Sequence, residues 1–65
     1  MRITLNDEPV EADEGSSISS VLALRGIPLE NSAVERNGEI VERDRLGDAV
    51  QDGDRIIIVR FVGGG

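Results

Sequence analysis

The chain runs RIIIVRFVGGG into its last residue, a β-branched apolar stretch followed by three glycines. Gly63, Gly64 and Gly65 carry no side chains and lose more conformational freedom on ordering than any other residue type. What such a segment can do chemically is place the α-carboxylate of Gly65 in a channel too narrow for any side chain. From Val62 onward the extended chain reaches at most roughly 3.5 Å per residue. A carboxylate is a poor electrophile until it acquires a leaving group. Reaction with ATP supplies one, as an acyl-adenylate, and a sulfur or amine nucleophile can then take the acyl group. On this reading the protein is itself the substrate, and a partner enzyme holds the ATP. The alternative is a frayed terminal segment with no chemistry.

The remaining side chains argue against catalysis by the chain itself. There are no cysteines and no histidines. That removes the thiol nucleophile, the disulfide, the zinc–thiolate site and the commonest general base. Ser16, Ser17, Ser19 and Ser20 cluster where a helix is expected to begin, and capping accounts for them better than nucleophilic catalysis does. Asp52, Gly53 and Asp54 suggest a calcium loop, but the twelve-residue pattern of oxygen ligands is absent. Turn geometry is the better account. No catalytic residue, no metal site and no bound cofactor are expected.

The elements that must position the tail can be read from periodicity and turn chemistry. MRITLNDEPVEAD reads as a hairpin, with Ile3 and Leu5 on one face, Asn6 and Asp7 in the turn, and Val10 and Ala12 alternating with Glu11. DEGSS delivers Ser16 or Ser17 as an N-cap. Ile18, Val21, Leu22 and Arg25 follow helical spacing, predicting a helix over 18–25 with Gly26 at C′ and Pro28 beyond it. Asn37-Gly38 between β-type residues is a strong hairpin signal, predicting strands over 33–36 and 39–42. RDRLGDAVQDGD reads as irregular, with Leu46 and Val50 as core anchors. Asp52-Gly53 turns the chain into a last strand, Arg55 to Phe61.

The order β-β-α-β-β-β predicts an α+β, β-grasp fold. A mixed sheet of four to five strands has one main helix packed across it, and the first and last strands lie parallel. Residues 1–61 form this domain and 62–65 a flexible glycine tail. If Ile56 and Ile58 point to the core, then Ile57, Val59 and Phe61 lie on the opposite face. An apolar patch leading to the tail is a partner site. The competing reading is that loop 43–51 covers this face.

Composition sets the outer bounds. The 65 residues suffice for one core, and Phe61 is the sole aromatic residue. Thirteen acidic residues face seven basic ones, for a net charge of −6. Nucleic-acid binding is therefore not expected, and a basic partner surface is. No apolar run approaches the roughly 20 residues of a membrane span. The expected setting is cytoplasmic, without membrane attachment.

VERNGEIVER followed by VQDGDRIIIVRFVGGG resembles the ThiS family, the small sulfur-carrier proteins of thiamine biosynthesis. Ile18, Val21 and Leu22, the Asn37-Gly38 turn, Asp52-Gly53-Asp54 and the terminal glycines recur in that order over nearly the whole chain. The segment RDRLGDAV departs from the family's usual larger apolar or aromatic residue. The resemblance implies a ubiquitin-like β-grasp carrier with Gly65 as the point of sulfur attachment. A ThiF-like, ATP-dependent enzyme would adenylate it. A sulfur donor protein would convert it to a thiocarboxylate, and a ThiG-like thiazole synthase would take the sulfur. Carriers for molybdopterin, amino-acid synthesis or tRNA thiolation share this tail chemistry. A ubiquitin-like modifier joined to target lysines would also use Gly65.

Overall fold

A computed structural model describes residues 1–61. The chain opens with β1 (Arg2–Leu5) and β2 (Glu8–Glu11), an antiparallel pair. Their connection is only Asn6 and Asp7, both at positive φ, 50° and 67°. Short polar side chains tolerate that region better than other non-glycine residues do. The Asn6 side chain also reaches across the sheet, where its Oδ1 accepts from the Ile58 N–H at 2.8 Å. The first turn is thereby tied to the last strand.

Helix α1 (Ile18–Leu24) ends one residue before the predicted Arg25, which is its C-cap. Ser17 is the N-cap, its hydroxyl accepting from the Ser20 N–H at 3.1 Å. At the other end the Gly26 N–H reaches the Ala23 carbonyl and the Ile27 N–H reaches Leu22. That is a Schellman cap, and it needs Gly26 at its φ of +68°. Ile27, just past the cap, packs against the core. Seven residues make too short a helix to stand alone in water, so α1 depends on the sheet beneath Ile18, Val21 and Leu22.

β3 (Ser32–Arg36) and β4 (Glu39–Val41) form the predicted hairpin. Asn37 and Gly38 sit at φ 53° and 87°, the two positive values a two-residue turn requires. The segment after it is less irregular than expected. Arg43–Arg45 makes one 3-10 turn. It brings Leu46 and Val50 into the core. β5 (Arg55–Arg60) closes the fold. Phe61 lies just beyond it, and its N–H still donates to the Asn31 carbonyl at 2.7 Å.

The five strands lie in the order β2-β1-β5-β3-β4. Only β1 and β5 are parallel, and they are neighbours at the centre. This is the α+β β-grasp arrangement, with the last strand threaded between the two hairpins and α1 across one face. Ile3, Ile18, Leu22 and Ile56 are the most completely buried large side chains. They mark where helix and central strands meet. No helix among the described residues is long and apolar enough to cross a membrane.

Candidate functional site: the open sheet face at the end of the last strand

β5 carries its residues alternately to two faces. Ile56 is buried and Ile58 packs against the same core. Their β3 partners are Arg36 and Val34, on the helix side of the sheet. The intervening residues therefore point away from the helix. Ile57 stands opposite Glu35, and Val59 opposite Ala33. Ile57 is half-buried, Val59 is 41% exposed and Phe61 is 59% exposed.

The stripe is wider than β5 alone. Glu35 also pairs with Ile40, which is 60% exposed. Ile57, Glu35 and Ile40 thus form one row across three strands, with Val59 and Ala33 in the next. Ile40 was not among the candidates that the sequence pointed to. The signal for it was present in the Asn-Gly turn. That turn sets the register of β4, and alternation with Val41 then sends Ile40 to the same face as Ile57.

Loop 43–51 does not cover this face. It packs at the start of α1 instead. The Ile18 N–H donates to the Asp48 carbonyl, the Ser19 N–H to Leu46, and the Val50 N–H to Ser16. Ser17 and Ala49 form an isolated bridge. The serine cluster is spent on the same junction: the Ser20 hydroxyl donates to the Ser17 carbonyl, and the Ser17 and Ser19 hydroxyls lie 3.2 Å apart. Among the described residues, none of these serines has a base hydrogen-bonded to it that would activate it.

β5 is held at its entry by a charged cluster. Asp54, almost wholly buried, accepts from Arg36 Nε at 2.9 Å, Asn37 Nδ2 at 3.1 Å and the Gln51 N–H at 2.8 Å. Burial by itself would raise its pKa and is the largest single influence. The Gln51 N–H, the Asn37 amide and the Arg36 guanidinium together outweigh it, and the carboxyl sits below its ordinary 3.8. Asp52 serves the turn differently, its Oδ1 accepting from the Arg2 N–H. Among the described residues no group of three or more acidic side chains is placed to hold a metal ion. Gly63, Gly64 and Gly65 lie outside the described residues.

The whole chain has counterparts among known proteins. The model of the ThiS family matches residues 3–65. The chain belongs to the ThiS family. A crystal structure of the thiamine biosynthesis protein ThiS from Geobacter metallireducens superposes with a TM-score of 0.80 at 36% identity, covering 100% of both chains. SAMP1 from Haloferax volcanii shares the fold, with a TM-score of 0.67 at 22% identity over 98% of this chain and 97% of its own. A thiazole synthase from Magnetococcus marinus is 42% identical over 66 residues, covering 100% of this ThiS-family chain. The chain spans 20% of that relative's length.

Proposed function

We propose that this ThiS-family protein is a sulfur carrier of thiamine biosynthesis, a protein cosubstrate that performs no catalysis itself. The Gly65 carboxylate attacks the α-phosphorus of ATP on a ThiF-like enzyme, releasing pyrophosphate and leaving an acyl-adenylate. Hydrosulfide supplied by a donor protein then attacks the acyl carbon. The C–O bond to phosphate breaks, AMP leaves, and the product is a thiocarboxylate on Gly65. A ThiG-like thiazole synthase takes that sulfur for the thiazole ring. Gly63 and Gly64 keep the approach to the reacting carbon narrow. Ile57, Val59 and Phe61, with Ile40 beside them, dock the partner enzymes.

The observation that carries this reading is the family match reaching to residue 65, joined to an apolar face on the strand that leads there. The acceptor is supported by the Magnetococcus marinus relative and by a second thiazole synthase, from Paramagnetospirillum magneticum, 36% identical over the whole of this chain.

The test is the intact mass of the untagged protein from its own host, followed by incubation with ATP, the adenylating enzyme and a sulfur source. A species heavier by exchange of one oxygen for sulfur, localised to Gly65, is the expected result. Lysine-linked conjugates in the native lysate, without that species, would replace the carrier by a protein modifier.

A further inference from the structure

The sheet has a second exposed feature, on the helix side and at the opposite edge from β4. A groove of about 430 Å³ runs between α1 and β2, lined by Pro9, Glu11, Ala12, Val21, Leu24 and Arg25 among others. We propose that this groove binds an extended, basic segment of a partner protein, which adds to β2 as a sixth strand.

Three observations converge on that occupant. First, β2 is the terminal strand of the sheet. Met1 and Ala12 exchange both backbone hydrogen bonds, at 2.9 Å each. Alternation along an antiparallel pair then directs the Val10 N–H and carbonyl toward β1 and turns the Pro9 carbonyl and the Glu11 N–H and carbonyl outward. An added strand thus finds an acceptor, a donor and an acceptor in sequence.

Second, the lining is mixed, with Pro9, Ala12, Val21 and Leu24 giving it an apolar part. Leu24 is 84% exposed, the most exposed large apolar side chain among the described residues. The core does not use it: α1 buries Ile18, Val21 and Leu22. At the lip of the groove it stands where alternate side chains of an added strand would lie.

Third, the charge selects the partner. Residues 8–14, EPVEADE, hold four acids and no base; Glu11 is paired with Arg2 at 2.9 Å, and Arg25 is the one base in the groove lining. A second copy of this chain pairing through β2 would set two such segments against each other, on molecules of charge −6. An extended segment alternating apolar and basic residues meets the opposite field. Pro9, with no N–H to offer, limits the edge to a short pairing. The groove lies on the helix side of the sheet, so filling it leaves the Ile57–Phe61 face free for another protein.

The test uses the full chain, ¹⁵N-labelled, titrated with a synthetic nonapeptide alternating valine and arginine. Saturable amide shifts confined to residues 10–13 and 21–25 are expected, with a Kd of about 0.1–1 mM. A nonapeptide alternating valine and glutamate is expected not to bind. Glu11→Pro removes the outward N–H without touching a β1–β2 backbone hydrogen bond, and it should weaken binding about tenfold beyond Glu11→Ala, which loses the same ion pair to Arg2. Leu24→Ala, which leaves the helix intact, should weaken it about fivefold. Equal binding of the acidic peptide would overturn the proposal. So would shifts centred on 57–61, no saturable shift at millimolar peptide, or concentration-dependent self-association through β2.

Discussion

At the scale of single residues, Asp54 carries more than a turn residue ordinarily does. It joins the β3–β4 turn, the end of the 43–51 loop and the start of β5 through Asn37, Arg36 and the Gln51 N–H. A domain of this length has about 3–10 kcal/mol of stability in total. Replacing a buried, paired carboxylate leaves Arg36 without its charge partner and costs about 2–4 kcal/mol. Asp54→Asn is therefore expected to lower the urea midpoint at pH 7 by a large fraction. The pH dependence has a definite sign. The folded pKa lies below 3.8, so the unfolded chain binds the proton first. The stability from Asp54 is present above pH 3.8 and is lost as pH falls through the folded pKa. Urea titrations from pH 7 to pH 2 should show a steep acid limb in the parent and a shallower one in Asp54→Asn. Equal limbs would refute the assignment.

At the scale of elements, the helix is a short piece made stable by its two ends and its contacts. Ser17→Ala removes the acceptor for the Ser20 N–H and should cost about 1 kcal/mol. Ser17→Asp should retain that stability, because an aspartate caps as well and α1 has no acidic residue in its first turn. Thermal unfolding of the two variants separates the cap from the hydroxyl's contact with Ser19. These ends were legible in the chain itself. A serine before an apolar run, a glycine after it and an asparagine–glycine pair between β residues each impose one backbone geometry locally. The 3-10 turn over Arg43–Arg45 was not legible. It has no periodic pattern of its own, and it is held by Leu46 and Val50 reaching a core assembled elsewhere. The buried role of Asp54 was hidden for the same reason, since Arg36 lies 18 residues away.

At the scale of the whole molecule, the fold presents two separate surfaces on opposite sides of one sheet. The face away from the helix carries Ile57, Val59, Phe61 and Ile40 toward the glycine end, and burying Val59 or Phe61 against a partner is worth about 1.5–3 kcal/mol each. Phe61→Ala should raise the KM for the carrier in an adenylation assay about tenfold while the unfolding midpoint stays in place, because Phe61 is outside the core. Unchanged kinetics would remove Phe61 from the docking face. What the sequence determined by itself was the strands and α1, the inward side of each, and the absence of a histidine or cysteine for catalysis. Those follow from periodicity and composition, which act within a few residues. Tertiary structure alone decided that loop 43–51 folds against the helix and leaves the β5 face open. It also decided that Leu24 stands over a groove at the free edge of β2. Each of these depends on which segments distant in the chain meet across the sheet, and no local pattern encodes that.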